Sequence, residues 1–361
     1  MKVDYLVIGS GLTGATIARI LKDSGKNVLV VDRRSHLGGN VHDHFHPSGI
    51  RVHTYGPHYF RTSSERIWEF VNRFSDFYKY EAIIQSIVDG QYENWPISGS
   101  YIRREIGENW KPSFRQVPTN FEEACLAIMP QKIYEKFVKG YTEKQWGILA
   151  KNLSADLVKR FDVHEDDDPR LKSNKYQGIP VNGYTTFMKN ILEDIPLVLN
   201  FDYLNNRDFF QVDKLTIFTG PIDEFFGFDL GKLAYRGQKR KHIYKKDLDL
   251  EQHVGQVNNP SPDNGEHIRT LEWKHMMEKQ YSQNIKGTVL TTETSFNPDN
   301  PNDYEYPFPN ESNAQLYHSY RQKANKIPGI LICGRLGEYK YYDMDQAIAR
   351  SFILAKHILE N

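Results

Sequence analysis

Gly9-Ser10-Gly11-Leu12-Thr13-Gly14 follows an apolar run, Tyr5 to Ile8, and opens a helical pattern. A second apolar run, Val28 to Val31, ends on Asp32. Glycines at this spacing, between a strand and a helix and with a terminal acid, make up the dinucleotide-binding fingerprint. Gly9 permits the tight turn. Gly11 lets the backbone approach a pyrophosphate, and Gly14 lets the helix pack against the strand. The helix N-terminus presents unpaired N–H groups and a positive dipole end to phosphate. Asp32 stands where a carboxylate accepts hydrogen bonds from ribose hydroxyls.

The residues after Asp32 choose among cofactors. Arg33, followed by Gly38-Gly39-Asn40, is the FAD form of this turn, since a second glycine pair gives another close backbone approach. Arg33 and Arg34 together leave NADP as the alternative, by attraction to a 2′-phosphate.

These residues need a scaffold. Glu65 to Phe74 reads as a helix, and Ala82 to Trp95 as two strands joined at Asp89-Gly90. From Ile97 to Lys159 the pattern is helical, and 163–175 is a polar loop carrying Glu165-Asp166-Asp167-Asp168. Tyr184 to Leu192 reads as a helix and Leu215 to Phe218 as a buried strand. Several strand-like segments lie between Tyr235 and Thr291. Ile330 to Arg335 is an apolar strand leading to a last helix that opens at Met344. The fold class is therefore α/β, with a discontinuous Rossmann-type FAD-binding domain (1–82, 183–234 and 326–361). Inserted into it are a helical substrate domain (97–160) and an antiparallel β-sheet domain (83–96, 161–182 and 235–325), with a mobile lid expected near 160–175.

The chain of 361 residues balances 46 Lys and Arg against 46 Asp and Glu, so no general field draws it to nucleic acid or to an anionic membrane. No apolar run approaches the roughly 18 residues of a membrane span. Its two cysteines, Cys125 and Cys333, are far apart and read as inert thiols of a reducing cytoplasm. A strand begins at the N-terminus, with no signal-peptide pattern before it.

Five segments resemble the UDP-galactopyranose mutases and related sugar-nucleotide mutases. They are Tyr55-Gly56-Pro57-His58-Tyr59-Phe60, Lys139-Gly140-Tyr141-Thr142-Glu143-Lys144-Gln145-Trp146, Tyr176-Gln177-Gly178-Ile179-Pro180, Thr219-Gly220-Pro221-Ile222-Asp223 and the run Gly334 to Met344. The resemblance implies an isomerase that binds FAD, active when reduced, and makes no net oxidation. The flavin N5 attacks the anomeric carbon of a nucleotide-activated hexopyranose, and the resulting flavin–sugar adduct opens and recloses as a furanose for cell-surface polysaccharide synthesis. NAD(P)H or another reductant would charge the flavin, and a homodimer is compatible with the resemblance.

The site residues follow from the same resemblance. Arg160, Arg269 and, less firmly, Arg236 are matched to the diphosphate, with Tyr306 and Tyr341 as hydroxyl donors. Phe137, Tyr141, Thr142 and Trp146 lie on the nucleotide segment, and Asn94 and Asn259 match further substrate contacts. Tyr141 and Trp146 serve equally well as packing residues. Cofactor contacts are expected at Thr13, Asp32, Arg33, Asn40, His58, Tyr59, Arg335, Tyr342, Asp343 and Met344, besides Gly9, Gly11, Gly14 and Gly39. His58, near the flavin ring, is either a hydrogen bonder or a proton carrier, and no residue stands out as general base.

The chain departs from the family at Arg61, where a histidine is usual, and at Thr13, where an aromatic is usual. Arg61 would set a five-donor cation beside flavin and sugar. It suits an N-acetyl carbonyl, or replaces hydrogen bonds that a 6-deoxy sugar cannot make, so UDP-N-acetylgalactosamine and dTDP-fucopyranose stand beside UDP-galactose. The rival readings are a redox flavoenzyme of amine-oxidase or protoporphyrinogen-oxidase type and a non-catalytic FAD-binding scaffold.

Overall fold

The protein is described by a computed structural model covering residues 2–161 and 163–360, with the Arg160 side chain outside the described residues. Its first two strands, Lys2–Ile8 and Val28–Val31, are buried on both faces, as a parallel sheet covered by helices requires. Tyr5, Val7, Val28 and Val30 pack toward helices Leu12–Asp23, Gly183–Ile191 and Met344–Glu360. Leu6, Ile8, Leu29 and Val31 pack the other way, onto Phe218, Ile222, Phe225 and Tyr320.

The parallel sheet has five strands in the order Leu197–Val198, Val28–Val31, Lys2–Ile8, Gln211–Phe218, Ile330–Ile332. The chain builds outward on one side of the first strand and then on the other. A crevice lies at the carboxyl ends of the strands on both sides of this switch point, where open α/β sheets bind ligands.

Two glycines of the turn are required sterically. Gly9 has φ 104°, and a β-carbon on Gly14 would stand 2.0 Å from the Gly9 carbonyl oxygen. Gly14→Ala is expected to force helix and turn apart at a cost of about 1–3 kcal/mol. Thermal melting checks this, and an unchanged midpoint would refute it.

A second sheet of seven strands runs Tyr306–Pro307, Tyr235–Lys245, Thr288–Phe296, Arg269–Glu272, Gln256–Asn258, Ile84–Val88, Gln91–Trp95. Its pairings are antiparallel except that between Gln256–Asn258 and Ile84–Val88. Asp89 and Gly90 join the last two strands with φ 51° and 77°, the two positive angles of a tight hairpin turn.

The structure corrects several sequence expectations. Ile97–Ser98 is a strand, paired with Val163–His164. Residues 107–120, with Pro112 and Pro118, carry no helix. Tyr176–Pro180 joins Phe60–Thr62 and Phe77–Lys79 in a three-stranded sheet instead of the large one. Helix Glu311–Ala324 packs its Tyr320 and Ala324 onto the parallel sheet, although its sequence neighbours belong to the other. The acidic stretch makes these contacts in the structure. Leu171 N–H donates to the Ala82 carbonyl (2.8 Å), and Arg170 pairs with Asp168 and Glu81. Among the described residues no helix is long and apolar enough to cross a membrane.

Candidate active site

The crevice is a groove of about 1210 Å³, its open mouth included, and every residue expected at the cofactor lines it except Tyr59. The Gly11 and Gly39 backbones face each other so closely that a β-carbon on Gly39 would stand 2.9 Å from the Gly11 α-carbon. Asp32 holds this turn together. Its Oδ2 accepts from the Ser10 N–H (2.7 Å) and hydroxyl (2.6 Å), and its Oδ1 from the Arg34 N–H (2.9 Å). Arg33 is paired with Glu224 Oε1 (2.6 Å), while Glu224 Oε2 is buried without a partner. Glu224 lines the groove, and the sequence reading missed it. Arg34 bonds Asn40 Oδ1 (2.9 Å) and lies over the Tyr55 ring. Thr13 packs against Gly334 on the far wall.

Asn40, His58, Arg335, Asp343 and Met344 also line a second, neighbouring cavity of about 640 Å³, its open mouth included, together with Tyr59, Arg61, Glu305, Tyr306 and Tyr341. His58 Nδ1 is 2.7 Å from the Gly56 carbonyl, which only accepts, so Nδ1 carries the proton. The His58 backbone N–H donates to His53 Nδ1 (3.1 Å). Burial, above all, pulls both imidazoles down to about 3, so both are neutral at pH 7.

Asp343 joins two of the expected residues, accepting from Arg61 Nη2 and from the Tyr341 hydroxyl, each at 3.1 Å. The Tyr306 and Tyr341 rings are stacked with centroids 6.1 Å apart, and the Arg335 guanidinium lies over both. Tyr342 bonds Glu338 (3.2 Å), and Tyr59 bonds Gln256 (3.3 Å) and stacks on Tyr80.

Behind the second cavity lies a buried ion chain. Arg269 Nε donates to Glu293 Oε2 (2.5 Å), and Arg240 Nε donates to Glu293 Oε1 (2.7 Å). Arg240 Nη1 and Nη2 reach the two oxygens of Glu305, each at 2.8 Å. Burial opposes the charge on Glu293, but Arg269 and Arg240 together hold its carboxyl below the usual range. Sequence reasoning missed Arg240, Glu293 and Glu305. The available signal was a lone acid in the strand Thr288–Phe296, since a buried carboxylate must find a partner.

Other expected residues sit apart. Arg236 caps the helix Gly140–Trp146: Nε and Nη2 take the Gln145 and Lys144 carbonyls, and Nη1 binds Asn297. Phe137 and Trp146 are buried in the helical core, edge-on to Tyr101 and Phe308. Asn94 pairs in register with Gln85, which aligns with Val257 and Thr270, so it is on the sheet face opposite Arg269. The Arg160 side chain lies outside the described residues. Thr142 Oγ1 and Asn259 Oδ1 are buried without hydrogen-bond partners, where the helix meets the loop after Asn258. Lys144 stitches that seam, donating to the Asn259 and His267 carbonyls, and burial lowers it to about 8.

The comparisons with known proteins agree along the chain. The family described as UDP-galactopyranose mutase matches residues 136–341, and the NAD(P)-binding Rossmann-like domain matches residues 7–74. The dTDP-fucopyranose mutase of Escherichia coli is 32% identical over 99% of this chain and 98% of its own length. A probable UDP-galactopyranose mutase of Klebsiella pneumoniae is 31% identical over 99% and 95%. The crystal structure of a reduced UDP-galactopyranose mutase superposes with a TM-score of 0.80 at 16% identity, covering 99% of this chain and 96% of that one. A putative protoporphyrinogen oxidase from Exiguobacterium shares the fold alone, with a TM-score of 0.65 at 10% identity over 99% of both chains.

Proposed function

The chain belongs to the UDP-galactopyranose mutase family, and on that premise we propose that it uses reduced FAD to convert a nucleotide-activated hexopyranose to its furanose. The observation that carries this is that the two cavities share a wall of Asn40, His58, Arg335, Asp343 and Met344. A glycine-walled groove thus lies beside a chamber lined by Arg61, Tyr306, Tyr341 and Arg335. FAD fits the groove on physical grounds: the turn is held tight, since a β-carbon on Gly14 would strike the Gly9 carbonyl and one on Gly9 the Thr219 hydroxyl, and the unpartnered Glu224 oxygen awaits a donor.

When bound and reduced, that cofactor supplies a nucleophilic N5 to the anomeric carbon. The chain's own residues do the rest. The N-terminus of helix Leu12–Asp23 and Arg335 hold the cofactor pyrophosphate. Neutral His58 offers Nε2 as an acceptor at the junction and carries no charge there. Arg269, Tyr306 and Tyr341 hold the departing and returning diphosphate. Arg160 joins them on the family resemblance alone. Tyr141, Thr142 and Asn259 receive the base, and a nucleotide entering that seam would satisfy both unpartnered oxygens. Arg61, tied once to Asp343, keeps its other N–H donors for the sugar and separates galactose, N-acetylgalactosamine and fucose.

Reduced protein incubated with UDP-galactose, UDP-N-acetylgalactosamine and dTDP-fucopyranose is expected to form a furanose isomer of at least one, with no flavin oxidation. A cyanoborohydride quench should leave sugar covalently attached to FAD in the mass spectrum. Equal turnover by oxidised protein, or no sugar on the flavin, would sink the proposal.

A further inference from the structure

Arg240 is the second arginine of the buried chain, and unlike Arg269 it has no role in the proposed reaction. Its side chain is 9% exposed, and that of Glu293 is fully buried. Three neighbouring strands bring the ions together, because Arg240 pairs in register with Glu293 and Glu293 with Arg269. The terminal nitrogens of both arginines lie against the loop that lines the second cavity. A β-carbon on Gly56 would stand 3.2 Å from Arg240 Nη2 and 3.5 Å from Arg269 Nη2.

The geometry points to Arg240 as a positioning residue that keeps the Arg269 fork free for the diphosphate. A carboxylate facing one arginine can take it side-on through Nε and a terminal nitrogen, which removes one of the two terminal nitrogens from the fork. Here Arg240 occupies Glu293 Oε1, so Arg269 is left with Oε2 through Nε alone. Among the described residues, Arg269 Nη1 and Nη2 find no hydrogen-bond acceptor. Glu305, which lines the second cavity, holds Arg240 through both of its oxygens and so fixes its position beside Glu293. Without Arg240, Glu293 turns both oxygens to Arg269 and withdraws a terminal nitrogen from the ligand. The inference rests on Arg269 holding the diphosphate, and the experiment separates the two.

UDP and dTDP are titrated calorimetrically into cofactor-loaded protein. Arg240→Met is expected to weaken binding of the nucleotide the protein prefers at least about tenfold, and to lower kcat as well as raise KM, as loss of the Arg269 donors does. Arg240→Lys, which keeps a cation on Oε1, recovers most of that affinity. If Arg240→Met fails to fold because Glu305 is stranded, Arg240→Met with Glu305→Gln removes the stranded charge. That double variant still leaves Oε1 vacant, so it must bind as weakly. Binding by either Met variant within about twofold of wild type, or Arg240→Lys as weak as Arg240→Met, overturns the inference. Arg269→Ala is the separate control: if it binds normally, the diphosphate assignment itself fails, and the inference with it.

Discussion

Arg269→Ala is expected to lower kcat/KM for the preferred nucleotide sugar about a hundredfold or more, roughly 2.7 kcal/mol of transition-state stabilisation. The thermal midpoint should move by only a few degrees. The size follows from the free fork, since two charge-assisted hydrogen bonds to phosphate oxygens contribute about 1.5–3 kcal/mol each. The loss should fall on kcat as well as KM, because the guanidinium is needed most when the leaving diphosphate gains charge. Tyr306 and Tyr341 remain and set the residual rate. The fold should survive, since Glu293 keeps Arg240 at 2.7 Å, although two buried carboxylates then share one cation. A variant within about fivefold of wild type, at native flavin content, would refute the assignment.

The cofactor groove was legible because its requirements are local. Gly9, Gly11, Gly14 and Asp32 sit within one strand–turn–helix–strand unit, and each is demanded by sterics that the sequence displays. The Gly38-Gly39-Asn40 tail was readable for the same reason, and it forms the wall facing Gly11. The ion chain was not legible. Arg240, Arg269 and Glu293 are distant in sequence and meet only through sheet register, which composition does not reveal. Asn94 shows the same limit from the other side. The Asp89-Gly90 turn fixes that Asn94 opposes Gln85, but not which face of the hairpin looks inward. Arg236 shows a third limit: a helix C-terminus and a diphosphate both recruit guanidinium forks, and the structure sets Arg236 on the Gln145 and Lys144 carbonyls. Helix Glu311–Ala324 is polar around most of its surface, so Tyr320 and Ala324 gave too little pattern to assign it to the parallel sheet.

Glu293→Leu is expected to cost about 3–5 kcal/mol of stability, the penalty for removing one partner of a buried ion network. The four side chains balance as two positive and two negative charges, so losing Glu293 leaves one uncompensated positive charge under the cavity. Arg240 can fall back on Glu305, whereas Arg269 loses the one hydrogen-bonded partner the structure gives it. Glutamine is a poor rescue, because its amide N–H would face a guanidinium N–H where the carboxylate offered two acceptors. The pH dependence has a definite sign. The folded carboxyl is held below its ordinary value of 4.5. Its stabilisation is therefore complete above that value and is lost as pH falls through the folded one. The stability gap between wild type and Glu293→Leu in denaturant titrations should be flat from pH 7 to 5 and narrow only below about 4. A gap below about 1 kcal/mol at pH 7, or one that closes already by pH 5, would mean that Glu293 does not carry its charge in the fold.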